Sequence, residues 1–323
     1  MRLWIFLPLL AICIESAAEA PFSTDELREL RKQWLLPAPT LHPQHKQLSE
    51  LGKKIFFDTN LSIDKSTSCA SCHIPELGWS DGKPTAQGLV GKPLKRATPS
   101  IINTAYSKVL MWDGRADSLE QQALMPFFDP LEMGLNEKLL IAKIASNQEY
   151  PNLFERAFGD SAIDSARISS ALAEFQRSIT ASNTRFDRWL KGDESALNNE
   201  EILGFKLFID PQKAACAVCH HPPNFTDDGF HNIGLSKQKP EDLGRYRFTP
   251  IPLMKRAFKT PSLRLATRTA PYFHDGSAKT LLEVIEHYQE VSVQKHNFSP
   301  SLLPVNLNKE EKEKLLAFLN SLE

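Results

Sequence analysis

The hydrophobic residues of this chain recur at the spacing of amphipathic helices in four places. Intervals of three and four residues put apolar side chains on one face of a helix. The four predicted helices are marked by Leu48, Leu51 and Ile55, by Ile168, Leu172, Phe175 and Ile179, by Ile202, Phe205 and Phe208, and by Leu315, Phe318, Leu319 and Leu322. The pattern predicts cores that are built from helices.

Polar residues indicate where these helices begin and where the chain divides. Asn198 with Glu201, and Asn308 with Glu311, have the spacing of a capping box. The polar run from Lys191 to Asn199 is the predicted boundary between two domains. Alternation of apolar and polar residues is scarce, and 22 prolines indicate long ordered loops. The predicted fold class is all-α.

The first twenty residues have the features of a cleaved secretory signal. Arg2 precedes an apolar stretch, Leu3 to Ile14, and the segment ends in Ala18-Glu19-Ala20. This stretch is too short to span a bilayer. We therefore expect a signal peptide over residues 1–20, a periplasmic location and no membrane anchor. Cys13 offers lipid attachment as an alternative, but Ile12 is a poor match to the small residue required before such a cysteine.

The composition limits the partners of the protein. Lys and Arg number 38 against 39 Asp and Glu, so there is no strong basic field to hold nucleic acid or an anionic membrane. Hydrophobic residues make up 41% of the chain, enough for two cores. Binding partners must therefore be selected by local patches on the surface of the protein.

The four cysteines that follow the signal fall into two identical patterns. Cys69, Cys72 and His73 form one Cys-x-x-Cys-His motif, and Cys216, Cys219 and His220 form the other. Two such thiols attach one c-type haem through thioethers, and the adjacent imidazole binds its iron. A zinc site or a redox Cys-x-x-Cys pair would not explain the histidine after both pairs. The chain is therefore predicted to carry two covalently bound haems c.

Each haem motif lies in a different half of the chain. We predict two cytochrome c-like helical domains, residues 21–195 and 196–323, each with one covalent haem and long ordered loops. The offset between the motif histidines is 147 residues (220 − 73), which fits an ancient duplication. No extended identity between the halves is evident from the sequence.

Further motifs resemble the di-haem cytochrome c peroxidase and MauG superfamily, from about residue 40 to the end. They are Arg96-Ala97-Thr98-Pro99-Ser100, Trp112-Asp113-Gly114-Arg115, Leu119, Gln122, Pro126, Glu132-Met133, Phe258-Lys259-Thr260-Pro261-Ser262-Leu263-Arg264 and Thr269-Ala270-Pro271-Tyr272-Phe273-His274-Asp275-Gly276. The resemblance implies a peroxidatic haem in the N-terminal domain and an electron-transfer haem in the C-terminal one.

The resemblance also implies roles for individual residues near the first haem. Glu132 would lie on its distal side with Gln122, and a carboxylate there can move a proton during peroxide cleavage. Pro126 would line the same pocket, and Trp112 would relay electrons between the haems. From the residues alone, Glu132 could be a solvated loop carboxylate, Pro126 a helix-stopping proline and Trp112 a core residue.

The second haem separates the subfamilies. Donor-dependent peroxidases have a Met ligand in the helix after the His-Asp-Gly turn, whereas MauG-like proteins have a Tyr, and here that position is Tyr288. A phenolate stabilises oxidised iron, while a thioether favours the ferrous state. Tyr288 could instead be a packed core residue, and Met254 and His287 are rival ligands. Many peroxidases also cap the first haem with a histidine before the Trp-Asp-Gly-Arg segment, and none lies between His73 and Trp112.

Two features of the family are matched less well by this sequence. The interdomain calcium of the family uses backbone groups that match Thr269 and Pro271, with an Asn at the position of Ala97, which has no side-chain oxygen. Calcium is therefore an open expectation. The MauG that forms a tryptophan-derived cofactor uses a surface Trp where this chain has Ala214, so the same protein substrate is not expected.

These observations predict a periplasmic MauG-like enzyme. It would use hydrogen peroxide to oxidise a Trp or Tyr of a partner protein through high-valent haem, as a haem-dependent, peroxidase-type oxidoreductase. The first alternative is a cytochrome c peroxidase that reduces peroxide with electrons from a small cytochrome c or cupredoxin. The second is an electron carrier without catalytic activity.

Overall fold

The computed structural model describes residues 21–235, 241–291 and 298–323. The predicted signal peptide and Cys13 lie outside these residues. The described residues contain eleven α-helices: α1 (Thr24–Trp34), α2 (His45–Phe57), α3 (Cys69–Cys72), α4 (Leu119–Phe128), α5 (Glu137–Ala145), α6 (Tyr150–Phe158), α7 (Ser165–Ser178), α8 (Arg185–Leu190), α9 (Asn199–Ile209), α10 (Leu281–Val291) and α11 (Lys309–Asn320).

Strand is scarce in the described chain, as the sequence predicts. Strands β1 (Phe230–His231) and β2 (Phe258–Lys259) pair antiparallel. All four helices predicted from apolar spacing are confirmed, as α2, α7, α9 and α11. The capping boxes at Asn198 and Asn308 are both formed. The fold is therefore helix-rich, with long loops between the helices.

Helices α2 and α7 form the centre of a first hydrophobic cluster. Leu48, Leu51 and Ile55 on α2 are at most 1% exposed and pack with residues of α4 to α7. The helices touch at Gly52, where an added Cβ would lie 1.9 Å from the carbonyl oxygen of Ala171. Only a residue without a side chain permits this approach.

Helices α9 and α11 form a second cluster in the same way. Phe205 and Phe208 are fully buried against Phe318 of α11. Here the close approach is at Gly204, where a Cβ would lie 2.0 Å from the carbonyl oxygen of Lys314. Each predicted haem motif thus follows a helix that is packed through a glycine against a later helix.

The clusters do not divide at the predicted boundary of residue 195. Phe22 and Trp34 from the first described segment belong to the second cluster, together with Phe186, Trp189 and Leu190 of α8. Trp34 packs edge-on against Phe186 and Phe205. The first described residues therefore lie beside the C-terminal half, and the chain crosses to the first cluster at about α2.

An internal repeat is visible in the structure although the sequence showed no extended identity. Segments 96–116 and 258–278 share Thr-Pro-Ser and Asp-Gly at an offset of 162 residues (260 − 98 and 275 − 113). Ser100 and Ser262 each donate a 2.7 Å hydrogen bond to a carbonyl after a haem motif. Antiparallel bridges join residues 110 and 116, and residues 272 and 278, at the same offset. The repeat supports the predicted duplication.

Candidate functional site

The first Cys-x-x-Cys-His motif occupies a single helical turn. Cys69 and Cys72 are the end residues of α3, and His73 follows, with its backbone N–H bonded to the carbonyl of Cys69. Ser68 and Ser71 cap this turn reciprocally. One turn places both thiols on the same side of the chain, as attachment to one porphyrin requires. No disulfide joins the four cysteines among the described residues.

Both motif histidines are oriented by a backbone carbonyl. His73 Nδ1 donates to the carbonyl of Trp79, and His220 Nδ1 donates to that of Phe225, both at 3.0 Å. Trp79 and Phe225 have left-handed φ angles of 60° and 54°. Because Nδ1 is occupied, Nε2 is the nitrogen left for iron, which is the usual arrangement of a haem histidine.

Burial keeps these two imidazoles neutral. It lowers the pKa of His73, and it lowers the pKa of His220 to about 4. A neutral imidazole has the free lone pair that a metal needs. The residues present therefore fit two haem irons on their proximal sides. The sequence motif predicted the ligands, but their carbonyl partners were missed, because they depend on the turn geometry that follows each motif.

A cavity that is partly open to solvent lies beside the first motif and encloses about 570 Å³ of empty space, solvent included. It brings together most of the residues predicted for the peroxide site. Its lining includes Cys69, Cys72, His73, Gln122, Pro126 and Glu132, with Phe56, Met133, Leu172 and Gln176. Gln122 and Pro126 lie on α4, and Glu132 lies in the loop that follows it. Pro126 is an interior residue of α4, which continues to Phe128.

Glu132 has an environment that favours proton transfer. Burial raises the pKa of its carboxyl, the nearby Asp129 raises it further, and Arg115 opposes them. A carboxyl with a raised pKa takes up and returns a proton more readily near neutral pH. Glu132 is therefore a partly buried carboxyl in the lining of the cavity, and its catalytic role stays a prediction.

The second motif forms a short 3₁₀ turn, Cys216–Val218, followed by Cys219 and His220. Tyr288 reaches this region from α10. Burial raises the pKa of the Tyr288 phenol, and the neighbouring sulfurs of Cys219 and Cys216 raise it further. The phenol is therefore close enough to the second motif for the charges of its cysteines to affect it.

The two rival ligands, His287 and Met254, differ from Tyr288 in their surroundings. His287 donates from Nε2 to the carbonyl of Ile233 at 2.9 Å, so that nitrogen is occupied. Met254 ends a short 3₁₀ turn, Pro252–Met254, in a loop with exposed residues on both sides. The pKa of Tyr288 is affected by the sulfurs of the second motif, so Tyr288 stays the predicted ligand.

Trp112 is held by both copies of the repeat. Its Nε1 donates to the carbonyl of Ala97 at 2.8 Å, and its own carbonyl accepts from the backbone N–H of Lys259 at 2.8 Å. Its ring meets His274, the equivalent position in the other repeat, with centroids 6.4 Å apart. His274 in turn stacks on Phe258, with centroids 3.5 Å apart. The indole is therefore fixed at the junction of the two repeats.

A buried ion-pair network lies beside this junction. Arg96 bonds Asp242 through Nε and Nη2, at 2.7 and 2.9 Å, and Asp113 through Nη1, at 2.7 Å. Asp113 also accepts from Arg115. Burial raises and Arg96 lowers the pKa of Asp242, with the net value at about 2. This network was not predicted, because Asp242 lies far from Arg96 in sequence.

The expected calcium ligands receive little support. Both backbone polar atoms of Ala97 are used, since its N–H donates to the carbonyl of His274 and its carbonyl accepts from Trp112. The methyl side chain of Ala97 offers no ligand. Thr269 uses its hydroxyl to donate to the carbonyl of Ala266. Thr269 and Pro271 stay predictions, and Ala97 does not fit the set.

A group with metal-ligand spacing occurs elsewhere in the described chain. Oxygen, nitrogen and sulfur atoms of Asp227, His231 and Cys219 lie within 4.8 Å of one another. His231 Nε2 is 2.7 Å from Asp227. Because Cys219 belongs to the second haem motif, Asp227 and His231 are part of the surroundings of that motif rather than a separate site.

Comparison with known proteins identifies the family. The profile of the family described as di-haem cytochrome c peroxidase matches residues 46–195. A methylamine utilization protein MauG from Methylophilus methylotrophus is 41% identical over 290 residues, covering 89% of this chain and 86% of that protein. The chain belongs to the di-haem cytochrome c peroxidase family. The resemblance inferred from the sequence motifs is thereby confirmed.

Members of both branches of this family are similar to the chain. A cytochrome c551 peroxidase from Nitrosomonas europaea is 32% identical, covering 88% of this chain and 83% of the relative. Among solved structures, a MauG-like protein associated with microbial copper homeostasis has a TM-score of 0.81 at 30% identity, covering 89% of this chain and 93% of that one.

Membership of the di-haem peroxidase family fixes the general chemistry. The protein is a haem-dependent oxidoreductase of the peroxidase type, acting with peroxide and with a partner protein or redox donor. Its MauG-like character fits its relatives, with the donor-dependent peroxidases as the alternative. None of the helices in the described ranges is long and apolar enough to cross a membrane.

Proposed function

We propose that the chain is a periplasmic MauG-like enzyme with two covalent haems c, one in each half of the chain. It would use hydrogen peroxide to oxidise a Trp or Tyr side chain of a partner protein. The observation that carries this proposal is a tyrosine, Tyr288, at the sequence position where a methionine would mark a donor-dependent peroxidase, with a phenol whose pKa is raised by burial and by the sulfurs of Cys219 and Cys216. A phenolate ligand favours the oxidised states of iron.

The haems would supply the electron-transfer chemistry at both sites. At the first site, the Glu132 carboxylate would accept the proton of the inner oxygen of peroxide and return it to the outer oxygen as that oxygen leaves as water. Gln122 would orient the peroxide, and Pro126 would restrict the pocket. Reduction of one peroxide to two waters consumes two electrons and two protons.

Trp112 would relay electrons between the two sites. It lies at the junction of the repeats and its N–H donates to a carbonyl, a group too weakly basic to take the proton. An indole that keeps its proton returns to its starting state once the electron has passed. The two electrons would come from the side chain of the partner, which is thereby oxidised.

The test of this proposal is the coordination of the second iron. In wild-type protein, a low-temperature ferric spectrum should contain one high-spin haem and one low-spin haem with histidine and tyrosine ligands. Tyr288→Phe should remove the second signal, while Tyr272→Phe, which removes another half-buried phenol, should leave it. The proposal fails if Tyr288→Phe does not alter the low-spin signal.

The alternative function is peroxide reduction with electrons from a small cytochrome c or cupredoxin. It is favoured by the 32% identity to a cytochrome c551 peroxidase. Steady turnover with such a donor, much faster than any modification of a partner protein, would support this alternative. The cavity beside His73, with Gln122 and Glu132 in its lining, favours either enzyme over an electron carrier without catalytic activity.

A further inference from the structure

An exposed apolar surface lies in the loop before β2. Phe248, Ile251 and Leu253 have exposed fractions of 50%, 47% and 49%. Arg247 and Lys255, at the two ends of this stretch, are also exposed. Apolar groups clustered on a surface and bordered by charge are typical of protein contact sites. We call residues 247–255 the 247–255 surface.

The backbone of the 247–255 surface is held by hydrogen bonds within the loop. The N–H groups of Phe248 and Thr249 both donate to the carbonyl of Arg245, and Met254 donates to Ile251. The ends of the loop are joined by hydrogen bonds from Arg245 to Ala257, at 2.8 Å, and from Arg256 to Leu243, at 3.0 Å. The apolar side chains are thus displayed by a preformed loop, which lowers the entropy cost of binding.

The same loop is attached to the backbone that holds Trp112. The Arg245 guanidinium donates to the carbonyls of Asp113 and Gly114, at 3.1 and 2.6 Å. Lys259, two residues beyond the loop end at Ala257, donates its N–H to the carbonyl of Trp112. A protein bound to the 247–255 surface would therefore rest on the segments that fix the proposed relay.

The charge at this surface is positive. Among the described residues no carboxylate pairs with Arg247, whereas Lys255 and Arg256 share one carboxylate, Glu241, at 3.8 and 3.9 Å. The chain as a whole has a formal net charge of −1, so this positive charge is local. It would attract a partner that carries carboxylates around an apolar contact area.

We propose that the 247–255 surface is the docking site for the protein partner, and that this partner is an acidic protein with an apolar contact area. The proposal rests on the proposed function, because the bound partner would exchange electrons through Trp112. Its apolar area would cover Phe248 and Leu253, and its carboxylates would face Arg247 and Lys255.

The test uses two surrogate electron donors of opposite charge, whose oxidation probes the surface and does not identify the natural partner. Peroxide-dependent oxidation of a reduced acidic cytochrome c and of basic horse heart cytochrome c is measured with the haem-loaded enzyme. The wild type should have a lower KM for the acidic donor, and that KM should rise with ionic strength. Phe248→Ser should raise it at least about tenfold, a loss of about 1.4 kcal/mol in binding.

Charge-reversal variants and matched controls show whether the change in KM belongs to the 247–255 surface. Arg247→Glu with Lys255→Glu should raise the KM for the acidic donor and lower that for horse heart cytochrome c. The controls are Leu139→Ser and Lys138→Glu on α5, an apolar and a charged residue exposed elsewhere. They should keep the wild-type KM values. The haem absorption spectrum reports whether each variant is folded and loaded.

Distinct outcomes would overturn the two proposals. Equal KM values in the wild type and the Phe248 and charge-reversal variants, or an equal rise in the α5 controls, would overturn the docking site. Failure of the wild type to oxidise either protein, while its haems still react with peroxide, would also overturn it and leave the proposed function in place. A wild type whose haems do not react with peroxide would count against the proposed function itself.

Discussion

At the scale of single residues, the first site depends on one carboxyl group. Glu132 shares a cavity with His73 and Gln122, and burial raises its pKa. A glutamine at this position would keep the size and a hydrogen-bonding amide but could not carry a proton. Replacing Glu132 with glutamine therefore tests the proposed proton transfer separately from the size of the side chain and its hydrogen bonding.

Glu132→Gln should slow the reaction with peroxide by about 10²- to 10⁴-fold, the usual contribution of a general acid–base group. Stopped-flow absorption of the haems after mixing with peroxide measures this rate. Glu76→Gln is the control, since Glu76 does not line the cavity. A rate in Glu132→Gln within twofold of the control would contradict the assignment.

The residues of this site differ in how far sequence could predict them. The motif letters identify Cys69, Cys72 and His73, and the family resemblance indicated Gln122, Pro126 and Glu132, which the cavity brings together. Their catalytic roles stay predictions. The carbonyls of Trp79 and Phe225 could not be predicted, because any residue has a carbonyl and only the left-handed turn aims it.

At the scale of elements, each half depends on a helix pair that meets at a glycine. The spacing of apolar residues predicted α2, α7, α9 and α11, because side chains on one helical face are local in sequence. Which helices pair was not predictable, since the contact of Gly52 with Ala171, and of Gly204 with Lys314, joins residues far apart in the chain. The same long-range packing explains why α1 and α8 join the second cluster.

Gly204→Ala should destabilise the protein by about 1–3 kcal/mol, the usual cost of overpacking. The added Cβ would lie 2.0 Å from a backbone oxygen, so the two helices must separate. Intrinsic helix preference alone would favour alanine by about 1 kcal/mol. Urea unfolding followed by circular dichroism measures the free energy of unfolding.

Gly52→Ala tests the same contact in the other half. An added Cβ there would lie 1.9 Å from the carbonyl oxygen of Ala171, so a similar loss of stability is expected. Stabilisation by either alanine would show that the helices are not in close contact at these glycines. A loss of stability from only one of the two substitutions would show that the two helix pairs are not equivalent.

At the scale of the whole molecule, the two repeats meet at Trp112 and His274, and Arg96 fixes the segments around them. Its guanidinium joins Asp113, next to Trp112, to Asp242, in the C-terminal half. These charged groups are mostly buried, with side-chain exposures of 15%, 4% and 5%. Breaking such a pair leaves an uncompensated charge, which is strongly unfavourable.

Asp242→Asn should lower the free energy of unfolding at pH 7 by about 2 kcal/mol, from the change in pKa between 3.8 and about 2. Because the folded pKa is below the unfolded one, this contribution is present above pH 4 and is lost as pH falls through 2. The stability difference between wild type and variant should therefore close over that range. Urea unfolding at pH 7, 4 and 3 checks it.

Asp25→Asn provides the control for the whole-molecule prediction. Asp25 pairs with Arg28 on the exposed face of α1, with 84% of its side chain accessible. Exposed pairs contribute little to stability. If Asp242→Asn were no more destabilising than Asp25→Asn, or if its effect did not change with pH, the Arg96 network would not hold the two halves together.

The carbonyls that orient His73 and His220 have a consequence for how the two irons can differ. Both acceptors are main-chain atoms at 3.0 Å, so no side-chain substitution can delete them, and both imidazoles donate the same kind of hydrogen bond. If a haem is bound at each motif, a difference in reduction potential between the two would come from other groups around each haem. In this scaffold, evolutionary change of redox behaviour is confined to those groups, while iron attachment stays constant.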